Sequence, residues 1–210
     1  MIGFALPAGH LTVLCVGAHP DDIEIGCGGT LLTLGAVRQV SAHLVVLTGT
    51  EERRAEATRS AQSFLPGSTV DIHPLPDGRL PAHWNSVKEA LESTAATIRP
   101  DVIFAPRRDD AHQDHRLVAE LVGTVWRDAL VLHYEIPKWD GDLGRVSHYV
   151  EVPEDQARRK VELLDKSFPS QASRDWWDEE TFLGMMRLRG IECRSRYAEG
   201  FVVAKARISF

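Results

Sequence analysis

The stretch Leu11-Thr12-Val13-Leu14-Cys15-Val16-Gly17-Ala18-His19-Pro20-Asp21-Asp22-Ile23-Glu24-Ile25-Gly26-Cys27-Gly28-Gly29-Thr30 decides how this chain folds. Its first six residues form an uncharged, largely apolar run, the pattern of a strand buried on both faces. One imidazole and two carboxylates follow at the strand's carboxyl end, where open α/β sheets collect their ligands. His19 and Asp22 stand at i and i+3 around a proline-stiffened turn and can converge on one cation. Asp21, between them, points elsewhere and stays free to move a proton.

A second cluster, Asp110-Ala111-His112-Gln113-Asp114-His115, repeats the arrangement. It follows the apolar run 102–105 and precedes Leu117, Val118, Leu121, Val122 and Val125, whose spacing makes one apolar helix face. Either cluster alone reads as a solvated turn. Together, at the ends of two parallel strands, they face one crevice, and the second can supply the missing ligand.

Further strand candidates lie at 42–47, 70–75 and 131–136, beside 11–18 and 102–105, with segments of helical period between them; residues 153–168 form another amphipathic helix. Such alternation specifies an α/β fold: a Rossmann-like three-layer sandwich with a mostly parallel sheet and helices on both faces. The 210 residues, 43% hydrophobic, suffice for one core, so residues 1–210 are expected to form a single domain.

Composition narrows the partners. A net charge of −6 without a dense basic cluster argues against nucleic acid. Arg53-Arg54 and Arg158-Arg159-Lys160 read as helix faces interleaved with Glu. Gly26, Gly28 and Gly29 do not form a dinucleotide fingerprint, because two carboxylates precede them where a pyrophosphate would lie. They are expected to turn the backbone beneath the metal and start a helix. Cys15, Cys27 and Cys193 lack zinc-site spacing and suit a reducing compartment, with Cys27 a small packing residue. No signal-like amino terminus and no membrane-length apolar stretch occur, so a cytoplasmic location without membrane insertion is expected.

At these residues the chain resembles the PIG-L/LmbE-like family of zinc-dependent de-N-acetylases. Ala18 to Gly29 carries the Ala-His-Pro-Asp-Asp motif with its Gly-x-Gly-Gly, and His112 to His115 carries His-x-Asp-His. Weaker echoes are Thr48-Gly49-Thr50-Glu51 with Arg53 and Glu56, Pro76-Asp77-Gly78, Ser170-Gln171 and Tyr197-Ala198-Glu199-Gly200-Phe201. The resemblance implies His19, Asp22 and His115 as ligands of Zn2+, with another divalent metal open, and Asp21 as general base. Two imidazoles and one carboxylate leave zinc an open position, so the chemistry agrees with that set.

The resemblance makes His112 an imidazolium that stabilises the oxyanion or protonates the leaving amine, oriented and charged by Asp114. Arg53 and Asp77 are the implied substrate contacts, although Arg53 also reads as a helix-face pair and Asp77-Gly78 as a turn. Gln113 stands where many relatives carry proline. The expected reaction removes an acetyl group from an N-acetylated amino sugar or its glycoconjugate by attack of a zinc-activated water on the amide. Alternatives are an amidase on a thiol-sugar conjugate or another small amide, and a metal-containing binding protein without turnover. The partner is thus a small molecule, and a homo-oligomer stays open. Trp84, Trp139, Trp176 and Trp177 could stack on a sugar ring or an aromatic aglycone but read mainly as core; Trp176 and Trp177, as helix neighbours, cannot fill the same core, so one is free for a pocket rim or interface. His43, His73, His83, His133 and His148 read as structural or solvated.

Overall fold

The apolar run after residue 10 forms the central strand of the sheet. In the computed structural model, which describes Gly3, Ala5, Leu6 and residues 8–207, β1 (Leu11–Gly17) lies between β2 (Val40–Thr48) and β4 (Val102–Pro106), parallel to both. With β3 (Thr69–Leu75), β5 (Leu130–Tyr134), β6 (His148–Val152) and β7 (Tyr197–Val202), the order among the described residues is β3-β2-β1-β4-β5-β7-β6. The first five strands are parallel; β7 runs antiparallel to β5 and β6 antiparallel to β7. The Rossmann-like sandwich is therefore present, with an antiparallel edge that the pattern of apolar runs did not reveal.

Alternating side chains of β1 feed two cores. Leu11, Val13 and Cys15 pack with α1 (Asp22–Val37), α2 (Glu51–Phe64) and α5 (Glu154–Ser167) on one face. Leu14 and Val16 pack on the other with α3 (Trp84–Thr97) and α4 (Gln113–Val125). The last helix, α6 (Glu179–Cys193), lies against β7 and α5. None of the helices is long and apolar enough to cross a membrane, among the described residues.

α1 begins at Asp22, ahead of the glycines, and Gly28 and Gly29 open only its second part, beyond a break. They sit inside the helix, where each removes a side chain that would collide. A Cβ on Gly26 would lie 2.2 Å from the Tyr134 ring, and one on Gly28 2.6 Å from Phe64. The helix is broken at Cys27, whose backbone is non-helical, so the N–H groups of Gly29 and Thr30 behave as a second helix start. Glu199, from β7, accepts both at 2.8 and 2.7 Å.

Lys160 completes this buried knot, donating to Glu199 at 2.7 Å and to the Ile25 carbonyl at 2.6 Å. It therefore parts company with Arg158 and Arg159, which remain exposed and paired with Glu154 and Glu162. Removing one partner of a buried, hydrogen-bonded ion pair leaves the other uncompensated. Lys160→Met should accordingly lower the unfolding free energy by about 3–5 kcal/mol in denaturant titration. A loss below about 1 kcal/mol would put the pair in the class of exposed ion pairs.

Candidate metal centre and catalytic cleft

The sheet reverses its winding between β1 and β4: β2 and β3 follow on one side, β5 on the other. The loops leaving β1 and β4 diverge from that switch point and enclose a crevice. The first loop carries His19 and Asp21 and leads into Asp22 at the start of α1, and the second carries Asp110 and His112 and leads into Asp114 and His115 in the first turn of α4. Loops after β2, β3 and β5, together with the segment before α6, complete a cleft of about 460 Å³.

Asp22 is the hub of the site, 3% exposed at the start of α1. Its Oδ2 accepts backbone N–H groups of Ala18 and His19 at 2.9 and 2.8 Å and lies 3.5 Å from His19 Nδ1. Its Oδ1 lies 3.3 Å from His115 Nε2. Burial pushes this carboxyl up, but His115 and His19 outweigh burial and hold it well below the usual range. Burial lowers the two rings, yet Asp22 prevails: His115 rises to about 9, and His19 well above its ordinary value. The pocket is built to hold positive charge.

The outer edges of both rings meet carboxylates. His19 Nε2 is 3.1 Å from Asp77 Oδ1 and 3.3 Å from Asp114 Oδ2. His115 Nδ1 is 3.1 Å from Asp110 Oδ2, an ionic contact without hydrogen-bond alignment. Those contacts assign the ring protons to the outer nitrogens. His19 Nδ1 and His115 Nε2 are then left with lone pairs facing each other across 3.1 Å. A proton or a cation must lie between them. His19 Nδ1 and His115 Nε2 are 3.1 Å apart, and Asp22 approaches each ring with a different oxygen, Oδ2 at 3.5 Å from the first and Oδ1 at 3.3 Å from the second, each distance close to the ~3.3 Å between neighbouring donors of an ion with ~2.0–2.1 Å bonds. The residues present thus fit a zinc-like ion. Among the described residues, single ligand atoms of three residues lie within 4.8 Å of one another in two groups, His19 with His112 and His115, and His19 with Asp77 and Asp114; Asp22, split between two oxygens, belongs to neither. The second group uses the ring edge already turned outward, and its Asp114 is engaged elsewhere.

Asp114 departs from expectation. Its carboxylate accepts the N–H groups of Gly78 at 2.8 Å and Leu80 at 3.0 Å, pinning the loop after β3, and does not orient the His112 ring. The contact with His112 runs through the backbone instead: His112 caps α4, and its Nδ1 accepts the Asp114 N–H at 3.2 Å. Burial, with the adjoining His19 and His115, lowers the His112 pKa; Asp114 opposes this more weakly. With Nδ1 accepting this N–H, the ring presents Nε2 to the cleft, and the lowered pKa runs against the expected imidazolium. Gln113 also ties this loop down, donating to the Gly78 carbonyl at 3.1 Å.

Arg53 is likewise committed to the protein. One arm of its guanidinium reaches Asp21 Oδ2 at 2.7 Å and the Pro20 carbonyl; the other reaches Glu56 at 3.0 Å and Ser170 at 3.1 Å. Glu56 is buried, and also accepts the N–H and hydroxyl of Ser170 at 2.9 and 2.7 Å. The guanidinium expected to meet the substrate does line the cleft, and in this structure it is engaged by Asp21. Burial pushes the Asp21 carboxyl up to about 6 against the pull of Arg53. Its φ of 126° is a left-handed conformation rare outside glycine, and it turns this side chain away from Asp22. Asp77 keeps a side chain 76% exposed on the cleft, against His19.

The sequence reading missed Asp110 as the partner of His115 and Lys138, which donates to Asp110 at 2.9 Å. The charge cluster around Asp110 offered a signal for the first; nothing local marked Lys138. Trp177 is buried, whereas Trp176 lines the cleft; both lie in the loop ahead of α6, so the helix argument that separated them does not apply. Cys27 is buried away from the cleft and donates to the Ile23 carbonyl at 3.1 Å. His133 is buried, its ring 2.7 Å from the Pro106 carbonyl.

A profile of the GlcNAc-PI de-N-acetylase (PIG-L) family matches residues 14–126, just over half the chain. The uncharacterized deacetylase YaiS of Escherichia coli K12 is 34% identical over 137 residues, 60% of this chain and 74% of that protein. The N,N'-diacetylchitobiose deacetylase of Pyrococcus horikoshii superposes with a TM-score of 0.75 at 22% identity, over 91% of this chain and 83% of its own. GalB, the 4-carboxy-2-hydroxymuconate hydratase of Pseudomonas putida KT2440, reaches 0.78 at 17% identity, over 95% and 98%. The fold therefore serves more than one reaction, and the motif-bearing residues must decide between them. With both histidine–aspartate motifs converging at the switch point inside the matched segment, this chain belongs to the PIG-L family of deacetylases.

Proposed function

We propose that the protein is a zinc-dependent N-deacetylase acting on an N-acetylated amino sugar or its glycoconjugate. One observation carries the reading: two imidazole nitrogens 3.1 Å apart face one another beside a carboxylate that contacts both rings, and a second, divergent buried carboxylate lies next to it. His19, Asp22 and His115 hold the ion. Zinc bound there would polarise the amide carbonyl and bring the pKa of water toward ~7.

Asp21 accepts the proton of the attacking water. A carboxyl pushed up to about 6 is a better base near neutral pH than an ordinary aspartate, and Arg53 fixes its position. Having gained the proton, Asp21 is also placed to return it to the departing nitrogen. His112, with Nδ1 engaged by the helix, directs its Nε2–H at the carbonyl oxygen as negative charge develops there. Asp77, exposed on the cleft, is available to sugar hydroxyls. Release of primary amine from a panel of N-acetylated sugars and glycosides by the zinc-loaded protein tests the assignment, with simple acetanilides and thiol-sugar amides as comparison substrates.

Three outcomes follow from the division of labour. His19→Ala and His115→Ala should lose bound zinc in elemental analysis, while Asp21→Asn keeps it and loses turnover by about 10²–10⁴. Full metal retention in both histidine variants would remove the site.

Arg53→Gln should lower kcat about 10- to 100-fold with little change in KM, the loss of one charge-assisted bond to the base. A rise in KM alone would instead make Arg53 a substrate contact. His112→Ala should cost about 10²–10³ in kcat, with His112→Gln recovering part of it because an amide N–H can take the place of Nε2–H. Equal losses in the two variants would exclude simple N–H donation.

A further inference from the structure

The far wall of the cleft carries an aromatic side chain that the chemistry above does not use. Trp139, in the loop after β5, is 65% exposed, the most exposed tryptophan among the described residues. Exposure of an indole usually goes with mobility, but this one is tethered. Its Nε1–H donates to Asp175 Oδ1 at 3.2 Å, and its ring meets Trp176 edge to face with centroids 6.1 Å apart. The Arg174 guanidinium lies 5.9 Å from its centroid.

Trp176 is itself anchored in the core, against buried Trp177 at 5.6 Å and Phe182 at 6.4 Å. The loop is also registered to the metal centre. Lys138, the residue before Trp139, donates to Asp110, which contacts His115. An apolar ring is thus fixed in orientation, left open, and held in register with the reacting groups. Fixing a side chain before binding reduces the entropy lost when a ligand arrives. A cleft of about 460 Å³ is the size of sites that enclose drug-sized ligands, ~300–1,000 Å³.

We propose that Trp139 is the platform of a second subsite, stacking on the apolar face of a ring attached to the amino sugar, so that glycoconjugates are preferred over the free monosaccharide. The inference rests on the deacetylase reading and extends it to the substrate class. The shared chemistry is a ring with an apolar face: the C–H face of a second sugar or an aromatic aglycone. A platform remote from the scissile amide binds ground and transition states alike, so its removal should appear in KM.

The test compares wild type, Trp139→Ala and Trp139→Phe on N-acetylglucosamine, its β-1,4 disaccharide and its phenyl β-glycoside. The ratio of kcat/KM for glycoside over monosaccharide should fall about three- to tenfold in Trp139→Ala, through KM, with Trp139→Phe restoring part of it. A fall confined to the disaccharide identifies a sugar ring, and one confined to the phenyl glycoside an aromatic aglycone; either supports the subsite. An unchanged ratio overturns it. Calorimetric binding of phenyl β-glucosaminide, which carries no acetyl group, separates this result from the fate of the deacetylase reading. Weaker binding to Trp139→Ala supports the platform even if no acetylated sugar is turned over, and equal binding to both proteins overturns it even if turnover is found.

Discussion

A single buried negative charge on Asp22 organises the crevice. An isolated carboxylate so deeply enclosed would give up its charge, because burial in a low-dielectric interior favours the neutral acid. Here two backbone N–H groups, the start of α1 and the rings of His19 and His115 surround it, and the balance runs the other way. The same contacts fix where the rings point. Asp77, Asp114 and Asp110 take the outer edges, so the inner nitrogens can only face one another.

Placing Asp21 beside this charge creates a conflict that the backbone resolves. Two adjacent carboxylates on a regular helical turn would share one environment and raise each other's pKa. The left-handed φ of Asp21 sends its side chain toward Arg53 instead, at a conformational cost of order 1–3 kcal/mol. Arg53 also binds the Pro20 carbonyl, so one guanidinium holds both the side chain and the loop that presents it. Its second arm is fixed by Glu56 and Ser170, which links the 3-10 turn after α5 to Asp21. Consecutive aspartates thereby acquire opposite tendencies, one held ionised and one pushed up to about 6. That divergence of paired acids is a recurrent route to separate roles at one pH.

Legibility in the sequence followed the range of the interactions. The central strand and both histidine–aspartate loops were readable because an apolar run and the polar cluster at its end are local features. The parallel core of the sheet followed from their repetition. β6 and β7 were not readable as strands: each is short, β7 carries the buried Glu199 and Gly200, and their pairing depends on contacts distant in sequence. Lys160 failed as a helix-face cation for the same reason, since the partner that draws it inward is 39 residues away. Arg53 was legible as a cleft residue, while its contact with the buried Asp21 was not, because the two lie 32 residues apart in sequence. Asp114, two residues from His112, was assigned to the nearer ring, while its carboxylate closes a loop 34 to 36 residues earlier.

The shared fold of a deacetylase and a hydratase locates the source of reaction specificity. The switch point supplies a crevice to any chain wound this way, and both reactions need water steered to an electrophilic carbon. What an amide adds is a poor leaving group, so a proton must travel from the attacking water to nitrogen within one turnover. In the reading proposed above, a carboxyl pushed up to about 6 on the wall of the cleft suits such a shuttle better than a fixed charge does. On that reading the Asp21–Arg53 pair, more than the histidine–aspartate cluster beside it, is the feature proposed to fit the cleft to amides.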